Sequence, residues 1–157
     1  MEISAHHEYG AEPAAVHTML TNPEWLSAVL DRAGAARSDV RVEANTSHIH
    51  AEISAPSQVQ RFTGATLAIE QTFVWNEVPD GWDGTVEATP AKLPAKLAGT
   101  ATIRPGGAGT IVEYSGQFNV SVPLLGKKLE QLAEPRVMTI IDLQQEVGNE
   151  WLATRPD

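Results

Sequence analysis

At 157 residues and a formal charge of −9, the chain fits one domain, residues 1–157, that buries roughly two thirds of its unfolded surface in a single core. The charge repels phosphate backbones and anionic headgroups, so nucleic acid is not an expected partner, and the absence of cysteine excludes disulfides, zinc fingers and thiol catalysis. There is no apolar run of about 18 residues, and MEISAHHEYG lacks the regions of a signal peptide, so a cytoplasmic chain without membrane insertion is expected.

Residues 2–9 alternate as a strand, with Ile3, Ala5, His7 and Tyr9 on one face and Glu2, Ser4, His6 and Glu8 on the other. Two short helices follow. Pro13 suits a first turn, with Val16, Met19 and Leu20 on its apolar side. Asn22-Pro23 reads as a cap and first helical residue, Trp25, Leu26, Val29 and Leu30 as the apolar side, and Gly34 as the stop.

From residue 38 to about 122 the period changes to two. A hairpin turning at Asn45-Thr46 predicts Val42 opposite Ile49 and Val40 opposite Ala51, with Glu43 facing His48 and Arg41 facing His50. His48, His50 and Glu52 then share a polar face. Histidines two apart on a strand lie roughly 6.5–7 Å from each other, so chelation is geometrically open. A closed site needs further ligands that the sequence does not nominate, so HIHAE reads as a solvated face and no metal or other cofactor is expected.

Residues 66–78 predict a longer strand with Leu67, Ile69, Gln71, Phe73 and Trp75 on one face, and Val-Pro-Asp-Gly at 78–81 a turn. The strand from Trp82 to Ala88 is poorly patterned and its register stays open. Pro90 and Pro94 mark an irregular connection or a sheet edge. A hairpin around residues 104–109 predicts Ala101 opposite Val112 and Gly99 opposite Tyr114, and Val112, Tyr114, Gly116, Phe118 and Val120 alternate in the last strand.

Residues 125–152 predict a closing helix of about 42 Å, with Leu125, Leu129, Leu132, Ile140, Leu143, Val147 and Trp151 as its stripe. Pro135 interrupts it as a candidate kink. Arg136 falls mid-stripe; the kink would let it snorkel to water, and held inside it needs a carboxylate or an anionic ligand group.

A twisted antiparallel sheet with one apolar face needs a cover, and only the last helix is long enough. The expected class is therefore α+β, a curved sheet of six to seven strands around that helix. This order resembles the START and pollen-allergen-like superfamily, also called SRPBCC or polyketide cyclase-like, with its helix-grip fold. Residues 3–26, with AEPAAVHTMLTNPEW, resemble its opening strand and paired helices; VPLLGKKLE, residues 122–130, resembles the entry to its terminal helix. Together they are most similar to a bacterial subfamily of unknown function. The resemblance covers nearly the whole chain and implies a cavity for apolar molecules. Neither motif is catalytic.

The inward face nominates His7, Tyr9, Val42, Ile49, Ile69, Gln71, Phe73, Trp75, Tyr114, Phe118, Arg136 and Ile140 as cavity candidates. Three functions are open. The first is binding of a hydrophobic small molecule or lipid, as carrier or sensor. The second is a cyclase or dehydratase-like enzyme using His7 or a tyrosine as acid–base and Arg136 to hold an enolate or carboxylate. The third is an interaction module that uses the sheet's outer face, tested at His48 and His50, or the acidic surface. Oligomeric state and ligand identity are not encoded legibly.

Overall fold

The computed structural model describes residues 1–154. In chain order the elements are β1 (Glu2–Tyr9), α1 (Pro13–Leu20), α2 (Pro23–Arg32), β2 (Arg37–Glu43) and β3 (Thr46–Ser54). A 3-10 turn (Ser57–Val59), α3 (Gln60–Thr63), β4 (Thr66–Val78), β5 (Gly81–Pro90), β6 (Ala95–Gly106), β7 (Gly109–Val120) and α4 (Gly126–Thr154) complete them. The strands form one seven-stranded sheet, order β1-β7-β6-β5-β4-β3-β2, with every pairing antiparallel. The sheet is curved and open, and α4 lies in its grip, as expected from period-two faces followed by one long amphipathic segment.

Local chemistry sets the boundaries. Pro13 and Pro23 open α1 and α2, and the Asn22 side chain accepts a hydrogen bond from the Glu24 backbone N–H at 2.8 Å. Gly34, with φ 87, ends α2 in the left-handed region. Pro90 and Pro94 bracket a connection between β5 and β6. The edge reading fails, because both strands have neighbours on each side.

Two hairpin registers differ from expectation by two residues. Val40 pairs with Ile49 and Val42 with Ser47, so Arg41 faces His48 and Asp39 faces His50. Ala101 pairs with Tyr114, Ile103 with Val112 and Gly99 with Gly116. The first turn sits one residue earlier than predicted, closing at Glu43–Thr46, and the second is tighter than predicted, closing at Gly106–Gly109. The first requires Ala44 at φ 53, a conformation an alanine seldom adopts. A shift of two preserves which face each side chain occupies, so the inward set survives both errors. The β5 register that patterning left open pairs Trp75 with Gly84 and Gln71 with Ala88. A Cβ on Gly84 would sit 2.6 Å from Phe73 and 2.7 Å from Trp75; glycine leaves room for their stacked rings, 4.5 Å between centroids.

The outer face is polar and paired. His50 contacts Glu70, Arg37 lies 3.4 Å from Glu52, and His48 Nδ1 is 3.5 Å from Thr72 Oγ1. Among the described residues no group of three His, Asp or Glu side chains is placed to hold a metal ion, and no helix is long and apolar enough to cross a membrane.

The interior divides into two packed clusters. One gathers Tyr9, Val16, Met19, Trp25, Trp75 and Val147; the other gathers Ala55, Val59, Val120 and Leu129. Helix α4 is fixed at both ends, through Leu129 to the second cluster and through Val147 and Gly148 to the first. Its helical run continues through Pro135. Pro135 and Gln131, whose carbonyl loses its N–H partner there, are both exposed, so the gap in the hydrogen-bond ladder lies on the solvent side of the helix.

Candidate functional site

Between its anchored ends α4 crosses a chamber instead of a packed core. The chamber has two lobes of about 200 Å³ and 230 Å³. They meet at a shared waist of Ile69, Gln71 and Leu97 from the sheet and Ile140, Ile141 and Gln144 from α4. Together they lie in the range of small-molecule sites, roughly 300–1,000 Å³. The inner lobe is roofed by α2 through Trp25 and Val29 and walled by Ile49, Phe73 and Tyr114. The outer lobe lies under Pro56 and Val59, against Leu67 and Phe118, with Leu129 to Val137 of α4 along its side. Gln58, Leu132 and Arg136 line this lobe and are exposed, which marks its opening between the 57–63 turn and α4.

This cavity explains a burial pattern that packing alone does not. Leu67, Ile69, Gln71 and Phe73 point inward from β4 yet are only half-buried, whereas Trp75, beyond the chamber, is buried at 2% exposure. Their remaining surface faces the lobes.

The walls carry few polar groups. Tyr114 donates its hydroxyl to Gln144 Oε1 at 3.2 Å, which orients the amide at the waist. Burial pushes the Tyr114 phenol far above its usual value, so it acts as a hydrogen-bond donor and not as a base. Ser47 and Trp25 line the inner lobe at 2% and 1% exposure, and neither the hydroxyl nor the indole N–H has a hydrogen-bond partner among the described residues. Among the described residues, Arg136 is the sole charged side chain in the walls of either lobe.

Eight of the twelve candidate residues line the chamber: Ile49, Phe73 and Tyr114 in the inner lobe, Phe118 and Arg136 in the outer, and Ile69, Gln71 and Ile140 in both. The other four lie elsewhere. Tyr9 and Trp75 belong to the first packed cluster, and Val42 is half-buried on the edge strand β2. His7, at 1% exposure, sits against the rings of Tyr114 and Tyr9, at 5.3 Å and 6.3 Å between centroids. Its Nε2 is 3.9 Å from Asp142 Oδ1, too far for a hydrogen bond, and neither ring nitrogen has a hydrogen-bond partner among the described residues. Burial lowers its pKa, Asp142 opposes that, and His6 adds to the lowering. His7, nominated for acid–base chemistry, and Arg136, nominated to hold an enolate or carboxylate, therefore do not meet in one pocket.

Gln144, Leu97, Ser47 and the 57–63 turn escaped the sequence reading. For Gln144 a signal existed. Positions 133, 136, 137, 140, 141 and 144 form one helical face, which a search for apolar residues alone passes over. The short turn has no periodicity from which to read it.

The sequence model of one family, described as "Protein of unknown function (DUF2505)", matches residues 4–152. The chain belongs to this family. No curated protein matches the chain at a significant level. Among solved structures, this DUF2505 chain is similar to TTHA0849 from Thermus thermophilus, at 16% identity and TM-score 0.72, covering 100% of both chains. A STAR-related lipid transfer protein fragment from Xanthomonas axonopodis shares 19% identity at TM-score 0.66, over 97% of this chain and 85% of that one. A START superfamily protein from Mycobacterium smegmatis shares 12% identity at TM-score 0.62, over 96% and 98%. At these identities the likeness is one of fold: this DUF2505 chain has the START-like helix-grip architecture.

Proposed function

We propose that this DUF2505 protein binds a hydrophobic small molecule or lipid in the two-lobed chamber, as a carrier or sensor. The observation that carries the reading is the chamber itself. Native interiors pack at crystal-like density, and a two-lobed cavity walled by Ile, Leu, Val and Phe leaves dispersion contacts and apolar surface unused. An apolar ligand recovers both. A STAR-related lipid transfer protein among the similar folds supports the same direction.

The cyclase-like alternative draws less support. Its proposed base, His7, lies outside both lobes, and the one tyrosine in the walls is held protonated by burial. The interaction-module alternative rests on outer-face histidines that have partners on β4.

Two measurements test the proposal. Organic extraction of the purified chain, followed by mass spectrometry, is expected to recover an apolar compound at near-stoichiometric yield. The extracted chain is expected to bind the neutral fluorophore N-phenyl-1-naphthylamine saturably, one probe per chain. Absence of both a co-purifying compound and saturable probe binding would reject the reading.

A further inference from the structure

Resting on that binding role, we infer that the ligand is a long-chain amphiphile with an anionic head, seated with the head at Arg136 and the tail running inward through the waist. Three observations converge on this polarity. First, among the described residues neither lobe contains an acidic side chain, and the single charge in their walls is a cation in the outer lobe. Second, Arg136 forms no ion pair or hydrogen bond with any described residue; Arg41, Lys92, Lys127 and Lys128 share that state, but of these Arg136 alone lines a lobe. A guanidinium that lines an apolar cavity has five donors to satisfy, and an anion satisfies them best, with two oxygens in parallel.

Third, the charged and the uncharged polar groups of the walls lie in different parts of the chamber, with Arg136 in the outer lobe only. Deeper in, the walls become uncharged, and Gln71, Gln144, the Tyr114 and Ser47 hydroxyls and the Trp25 indole N–H supply the polar contacts at and beyond the waist. No cation there offsets the charge of a head, whereas an alkyl tail meets Ile69, Leu97, Ile140 and Ile141. The orientation follows.

The experiment is displacement of N-phenyl-1-naphthylamine from the full, delipidated chain by three ligands with the same alkyl chain: hexadecanoate, hexadecyl phosphate and methyl hexadecanoate. One or both anions are expected to displace the probe at about one-tenth the concentration the ester needs, the scale of one charge-assisted contact. The better anion then identifies the head as carboxylate or phosphate. Arg136→Leu and Arg136→Gln, both at an exposed helical position, are expected to bring anion and ester together by weakening displacement by the anion; Arg136→Lys should keep part of the preference. Equal potency of anions and ester on the unaltered chain overturns the inference while the binding role stands. A preference that persists in both Arg136 variants does the same. Failure of the probe to bind removes the binding role and the inference together.

Discussion

Burial holds His7 neutral, and this has a measurable consequence. Its imidazole is 1% exposed between two tyrosine rings, and its pKa lies below the 6.5 of an unfolded chain. Above pH 6.5 neither the folded nor the unfolded chain is charged there, so the contribution of the site to stability is complete. As the pH falls below 6.5, the unfolded chain takes up a proton that the folded one refuses, and stability declines until the folded value is passed. His17, stacked on Trp82 at 4.3 Å, is lowered in the same direction, chiefly by burial and against Glu77. Replacing His7 with Phe removes a titrating group and two unpartnered nitrogens from an aromatic setting. The expected result is a gain of about 1 kcal/mol at neutral pH. The fall in denaturation midpoint below about pH 6.5 should also become shallower, with His17 still contributing in the same direction. Urea unfolding across that range reads both; an unchanged acid slope would show that His7 does not drive it.

At the scale of elements, α4 is fastened at two ends and unsupported over the chamber between them. Near its C-terminus the backbone approaches β1 and α1 so closely that a Cβ on Gly148 would sit 2.5 Å from the Tyr9 ring and 3.0 Å from the Met19 methyl. Two contacts hold that end in register: the Glu8 backbone N–H donates to Gln145 Oε1 at 2.7 Å, and the Tyr9 hydroxyl points to the Gln144 carbonyl at 3.5 Å. In an exposed helix Gly→Ala would stabilise by up to ~1 kcal/mol. Here the added methyl must displace a ring fixed in the core, so Gly148→Ala is expected to destabilise by about 1–3 kcal/mol in chemical denaturation. A stabilised variant would mean that α4 rides farther from the sheet than the close approach requires.

The same element shows where sequence reasoning succeeded and where it stopped. Periodicity placed α4 within two residues of its ends and placed Arg136 on the chamber side, because both are local properties of a 3.6-residue repeat. The sheet faces were legible for the same reason, and they survived two register errors because each was an even shift. The errors arose at Ala44, which takes a left-handed turn without a glycine, and at Gly106–Gly109, where pairing continues farther than the glycine-rich sequence suggests. What no local pattern encodes is depth. His7 and Tyr9 share a face with Ile3, yet they pack beneath the C-terminal end of α4 while Ile3 lines the inner lobe. That difference depends on where the helix crosses the sheet, a relation between residues more than a hundred positions apart.

Across the whole molecule, the waist decides whether the two lobes act as one site. Leu97 projects into both lobes from near the start of β6, between Ala88 on β5 and Phe118 on β7, and it is half-buried because cavity lies beside it. An indole in its place occupies space at the junction instead of displacing packed atoms, so the usual 1–3 kcal/mol cost of overpacking should largely be avoided. Leu97→Trp is therefore expected to unfold within about 1 kcal/mol of the unaltered chain. Its affinity for N-phenyl-1-naphthylamine should fall by more than about tenfold, the loss of apolar contact equivalent to ~1.4 kcal/mol. The pairing of the two readouts matters: a variant that loses both stability and binding reports only misfolding, and Leu97→Met, similar in volume and flexible, serves as the control that should keep both. Full probe affinity in a stable Leu97→Trp chain would place binding in a single lobe or outside the chamber. Selective loss would establish that ligand spans the waist, with one end beneath α2 and the other at the opening beside Arg136.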